Sequence, residues 1–193
     1  MIKEELLFNG QNLLEREDWM WMNDHDVANA IGMHPEDFSF YFSSKYQFEK
    51  EVLQLYSDQH LLDAKTSLSC CFQRPIKRVK KYLVYLTESF TSKPNISRML
   101  FSPLTGGIMH NEVSKPFIDQ LALLLASCLK ETFKAIRLKK HDLQLYAHEI
   151  LQSLLLKLNE MDSIETKVFF DRVRDSNELL SYPETNALSQ FSF

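Results

Sequence analysis

The chain has 193 residues, 45% of them hydrophobic, enough for one full domain or for a small domain joined to a larger one. It has neither a run of about 18 apolar residues nor a basic and apolar leader ending at a small-residue cleavage site, so a soluble cytoplasmic protein with no membrane partner is expected. Its net charge of −4 conceals an asymmetry, because residues 1–60 hold 4 Lys plus Arg against 12 Asp plus Glu while the remainder holds 18 against 14, leaving the front of the chain at −8 and the rest at +4.

Only 4 Gly and 6 Pro occur, and apolar residues recur every three or four positions, which predicts an almost entirely helical chain. A first helix is expected over about Lys3 to Glu15, with Leu6 and Leu13, like Leu7 and Leu14, seven apart on one stripe. Phe8 lies off that stripe, and Gly10 is expected to weaken the helix by about 1 kcal/mol relative to alanine. Asn23 then caps a second helix, with Asp26 at its third position, and Gly32 stops it. Pro35 fits the first position of a third helix carrying Phe38, Tyr41 and Phe42. Glu36 and Asp37 follow in its first turn, where acids favour the helix dipole.

A longer helix is predicted from Lys45 through Phe48, Val52, Leu55, Tyr56 and Leu62 toward Cys70, and another from Pro75 to about Thr91. A loop-rich stretch through Pro94, Pro103, Gly106 and Gly107 holds a short helix near Arg98. Ser114 and Pro116 open a helix marked by Phe117, Leu121, Leu124, Leu125, Cys128, Leu129, Phe133 and Ile136. Further helices are expected over Asp142 to about Met161 and Ser163 to Leu180, with residues 181–193 as a tail.

The helix beginning at Asp142 has more apolar surface than one stripe requires. Leu143, Tyr146, Ile150, Leu154 and Leu158 make one face, and Leu145, Leu151, Leu155 and Leu156 widen it. Together with Val168 and Phe169 of the last helix, this width predicts a twofold homodimer interface drawing on Leu145, Ile150, Leu154, Leu158, Val168 and Phe169; a wholly internal core helix is the alternative.

DVANAIGM at residues 26–33, followed by FYFSSKYQF at 40–48, resembles the TetR family of one-component bacterial regulators. The likeness runs without a gap from Leu13 to Phe48 and extends over about Leu6 to Tyr56, about a quarter of the chain. It implies an all-α protein: a three-helix helix-turn-helix head over residues 1–45, and a larger helical body over 46–193 that dimerises and responds to a small-molecule effector. In such heads the third helix enters the major groove of duplex DNA and neighbouring groups grip phosphates.

Transferred position by position, the resemblance assigns DNA contact to His25, His34, Asp37, Ser39, Tyr41 and Lys45, with Lys45 and the Tyr41 hydroxyl on phosphates. The pattern also departs from the family. Ser39 replaces a frequent tyrosine, Phe40 a frequent histidine, His34 a serine or threonine, Asp24 an apolar residue and Asp18 a glycine. Phosphate contacts strengthen binding through counterion release, and this head offers few cations to make them. The alternative is therefore a head that has lost general DNA affinity and acts through a protein partner, with Trp19, Met20, Trp21, Met22 and the acidic face as its surface.

An effector pocket would draw on Tyr85, Phe90, Met99, Phe101, Met109, Phe117 and His148, apolar walls with a few polar groups. The basic runs Arg74, Lys77, Arg78, Lys80, Lys81 and Lys134, Arg137, Lys139, Lys140 read as solvated faces. Cys70, Cys71 and Cys128 make neither a disulfide framework nor a zinc motif, and His141 and His148 alone do not make a metal site. Without a nucleophile elbow, dinucleotide fingerprint or phosphate loop, no enzyme activity and no cofactor are expected.

Overall fold

The computed structural model describes residues 2–69, 75–101, 110–132 and 140–160. Every regular element among them is helical: α1 (Ile2–Leu14), a 3₁₀ turn (Trp19–Trp21), α2 (Asp24–Ala30), α3 (Pro35–Tyr41), α4 (Lys45–Ser69), α5 (Pro75–Ser92), α6 (Pro94–Phe101), a π-helical turn (His110–Ser114), α7 (Lys115–Thr132) and α8 (Lys140–Glu160). The expected last helix, the tail, Cys70, Cys71, Gly106, Gly107, Phe133 and Ile136 lie outside the described residues. None of the described helices is long and apolar enough to cross a membrane.

The chain divides into two compact units, residues 1–62 with 93–117 and residues 63–92 with 118–193. In the first, Leu6, Leu7, Leu13 and Leu14 bury the α1 stripe as its spacing requires. They join Val27, Ile31, Phe38, Phe42, Phe48 and Val52 in one core. The aromatic side chains interlock: Phe48 lies 5.0 Å from Phe42, 6.0 Å from Phe38 and 6.1 Å from Trp19 between ring centroids. Each such ring removed from water contributes about 1.5–3 kcal/mol.

Gly10 corrects the sequence-based expectation. A methyl group there would lie 2.6 Å from Phe48 Cζ and 2.6 Å from Val52 Cγ2. What reads in one dimension as a weak point in α1 is the place where α1 and α4 approach closely, and only a residue without a side chain permits it.

In the second unit, Tyr82, Leu86 and Phe90 of α5 are buried, as are Leu121, Leu125 and Leu129 of α7 and Leu143, Ala147, Leu151, Leu154 and Leu155 of α8. The Tyr82 hydroxyl donates to the Leu121 carbonyl at 2.9 Å, and burial drives its ionisation far above the ordinary phenol range. The buried face of α8 is thus centred on Ala147 and Leu151, leaving Leu145 and Tyr146 exposed.

Candidate nucleic-acid interface

The helix-turn-helix forms by local rules. The Asn23 side chain accepts the Asp26 N–H at 3.0 Å and the Asp26 carboxylate accepts the Asn23 N–H at 3.2 Å, a reciprocal cap that starts α2. At the other end Gly32 takes a φ of 82°, so that its N–H reaches Asn29 O at 3.1 Å and the Met33 N–H reaches Ala28 O at 2.9 Å. This pair of bonds satisfies carbonyls that the helix end would leave open and reverses the chain toward α3. Pro35 opens α3 at a position where no N–H is needed. The Asn9 amide donates to Ile31 O at 3.3 Å and ties the turn to α1.

Two departures from the family pattern have partners in the structure, one of them at the start of α4. Asp24 accepts the Lys45 N–H at 3.1 Å, and Ser44 Oγ accepts the Gln47 N–H at 3.2 Å, so the aspartate at an ordinarily apolar position caps the connecting helix. Asp18, in place of a glycine, binds Arg16 through a two-pronged pair at 2.9 and 2.6 Å.

Lys45 points inward. Its ammonium donates to the carbonyl oxygens of Trp19 at 2.7 Å, Met22 at 2.8 Å and Met20 at 3.2 Å, and lies 4.3 Å from the Trp19 ring centroid. An ammonium has three protons, and all three are taken. Desolvation lowers the Lys45 pKa, against the pull of Glu49 and Asp24, while burial raises that of Glu49, against the pull of Lys45. A phosphate contact from this side chain would have to replace bonds that hold the 3₁₀ turn.

Of the other residues that the resemblance assigns to DNA, His25, His34, Asp37 and Ser39 are exposed and Tyr41 is half-buried. His25 Nδ1 lies 3.1 Å from the Asn29 amide, and Tyr41 packs edge-on against Phe40 at 5.2 Å. The run before α2 divides sharply. Trp19 is 3% exposed and completes the core, whereas Met20 at 78% and Trp21 at 87% stand in solvent, as does Phe40 of α3 at 84%.

A group that sequence reasoning missed joins α1 to α6. The Glu15 carboxylate accepts the N–H groups of Asn95 at 3.1 Å and Ile96 at 2.8 Å, while the Asn95 amide returns a bond to Glu15 O at 2.9 Å. Lys93 donates to Gln11 at 2.8 Å, and Gln11 donates to Gln59 at 2.9 Å. Partners 48 to 82 positions apart leave no periodic signal in a sequence.

Of the expected pocket residues, Phe101 and Phe117 pack together at 5.7 Å in the first unit, where the His60 ring meets Phe117 at 5.5 Å and Met99 is half-buried. Phe90 is buried in the second unit, Tyr85 is half-buried, and His148 faces Asp119 at 3.0 Å. Met109 lies outside the described residues. So do Val168, Phe169 and the Leu158 side chain of the expected dimer interface, of which Leu145 is exposed, Ile150 half-buried and Leu154 buried. No cluster of metal-ligating side chains occurs among the described residues.

Solved structures share this arrangement over most of the chain. A Syntrophomonas wolfei protein assigned to the TetR family superposes with a TM-score of 0.67 at 16% identity, covering 89% of this chain and 90% of that one. The fold is that of TetR-family transcriptional regulators. A TetR-family regulator of Bordetella parapertussis has the same fold, with a TM-score of 0.64 at 12% identity over 94% of this chain and 98% of its own. So does the TetR-family repressor FadR of Thermus thermophilus in complex with lauroyl-CoA, with a TM-score of 0.59 at 13% identity over 94% and 96%. No family model matches the sequence, and no curated protein does. In this chain α2 and α3 are the two short helices joined at Gly32, and α4 follows them.

Proposed function

We propose that the chain is a TetR-family transcriptional regulator, a homodimer whose head, residues 1–45, meets duplex DNA and whose body, residues 46–193, carries the dimer interface and an effector site. The observation that carries this reading is the formed helix-turn-helix, with Gly32 in the left-handed conformation and His34, Asp37, Ser39 and Phe40 of α3 and its cap facing solvent. Exposed Leu145 and Tyr146 on α8 and exposed Leu123 on α7 support a second copy against the body. The lauroyl-CoA bound by the Thermus repressor makes fatty acyl-CoAs the first effectors to test.

Fluorescence anisotropy with mixed-sequence duplexes tests the reading. Each phosphate contact gives about one decade of affinity per decade of salt, so a head with few contacts shows a shallow salt slope. Absence of binding even at low salt removes DNA as the partner. Light scattering tests the dimer, and a monomer at micromolar concentration contradicts it.

A second reading, a head that acts through protein contacts, is favoured by the engagement of its cations. Lys3 pairs with Glu51 at 2.7 Å, Arg16 with Asp18, and Lys45 with three backbone carbonyls. These are the only Lys and Arg in residues 1–45, against nine carboxylates in the same stretch.

A further inference from the structure

We infer that Phe40 sets the base preference of the head: its ring covers a thymine 5-methyl group in the major groove, while the neighbouring Glu36 carboxylate accepts from a cytosine amino group. The inference rests on the DNA-binding reading above and names the base pairs which that reading leaves open.

Helix geometry places the two side chains together on the outermost line of α3. Phe38 is 3% exposed, its ring centroid 6.0 Å from that of Phe48, and it fixes the inward direction. Glu36 and Phe40 stand two positions to either side of it, so at about 100° per residue each lies about 160° round the helix from Phe38 and faces away from the core. Being four apart, they are neighbours on one face. Phe40 is 84% exposed and Glu36 is exposed beside it. Asp37 and Ser39 flank this line, and the Ser39 hydroxyl donates back to the Glu36 carbonyl at 3.5 Å. The Tyr41 ring meets Phe40 edge-on at 5.2 Å, which steadies the phenylalanine without covering it.

The chemistry of this line selects bases. Guanine shows two acceptors in the major groove and is read by arginine or lysine, and α3 has neither. Thymine shows a methyl group, which an aromatic ring can cover, and cytosine shows an amino donor, which a carboxylate can accept. A phenylalanine and a glutamate side by side therefore suit a thymine next to a cytosine. Backbone contacts position a head without reading sequence, and Lys45, held by three carbonyls, adds little to them. The outward line of α3 is thus left to supply the selectivity.

The test selects duplexes from a random-sequence pool with the full chain and then measures the enriched site by fluorescence anisotropy. The expected site carries thymine and cytosine at adjacent positions. Replacing that thymine by deoxyuridine removes only the methyl group and weakens binding about fourfold, the worth of one covered methyl. Phe40→Ala, at an exposed position and checked for folding by circular dichroism, binds the thymine and deoxyuridine duplexes equally. Glu36→Gln moves the preference at the adjacent position from cytosine toward adenine, which glutamine reads with two bonds. Equal binding of the two duplexes by the parent chain overturns the inference, as does a deoxyuridine loss just as large in Phe40→Ala or a cytosine preference unchanged in Glu36→Gln. Each of these leaves the DNA-binding reading in place. A pool with no enrichment even at low salt overturns that reading itself, and the inference with it.

Discussion

The Lys45 ammonium is held 2.7 Å from the Trp19 carbonyl oxygen, above that residue's own indole ring. The two residues are 26 positions apart, and their contact closes the turn between α1 and α2 onto the start of α4. The side chain that the family resemblance directs to a phosphate is, in this chain, a bolt inside the head.

Replacing Lys45 with methionine keeps much of the stem and removes the donor. Three backbone carbonyls lose a charged partner, so the variant is expected to be less stable by about 1–3 kcal/mol, measured by urea denaturation. A residue serving only a phosphate would leave the free protein's stability unchanged.

Gly10→Ala reverses the usual rule. Helix propensity alone would raise stability by about 1 kcal/mol. The added methyl meets Phe48 and Val52 at 2.6 Å, and overpacking of that kind costs about 1–3 kcal/mol. A lower melting temperature is expected, and a higher one would show that α1 and α4 separate easily.

Glu15→Ala leaves the Asn95 and Ile96 N–H groups at the start of α6 without their carboxylate. Loss of such a cap is expected to cost about 0.5–2 kcal/mol. Faster amide exchange at Asn95 and Ile96, with the α2 amides unchanged, is the accompanying signature.

Glu49 supplies a pH dependence. Burial raises its pKa in the folded state, so folding favours the protonated carboxyl. Below its unfolded pKa the group is protonated in both states and carries no penalty. As pH rises through the interval up to the folded pKa, the unfolded chain ionises first and stability falls. Glu49→Gln removes that loss, so its stability gain over the parent is expected to appear on going from acid to neutral pH. Denaturation curves at several pH values measure the difference, and an equal gain at all pH values would contradict it.

Local order was legible where neighbours in sequence are neighbours in space. The Asn23 and Asp26 cap, the Gly32 stop, the Pro35 start and the paired leucines of α1 obey short-range geometry, and each stands where its spacing put it. Around the candidate site that legibility ended. Trp19 and Trp21 are two positions apart and equally aromatic, yet one is core and the other is in solvent. Leu62 follows the apolar pattern of α4 and is exposed. A period states which residues share a face, but not which faces meet another element.

Spacing and residue chemistry therefore determined the helices of the described residues, the helix-turn-helix and the acidity of the front of the chain. The tertiary structure alone decided what the charges do: Lys45 turns inward, Asp24 caps α4, Glu15 anchors α6, and Phe40 stays outside. The reason is physical. Helix formation depends on the few residues within hydrogen-bonding reach along the chain, whereas the role of a charge depends on the groups that folding brings within a few ångströms of it.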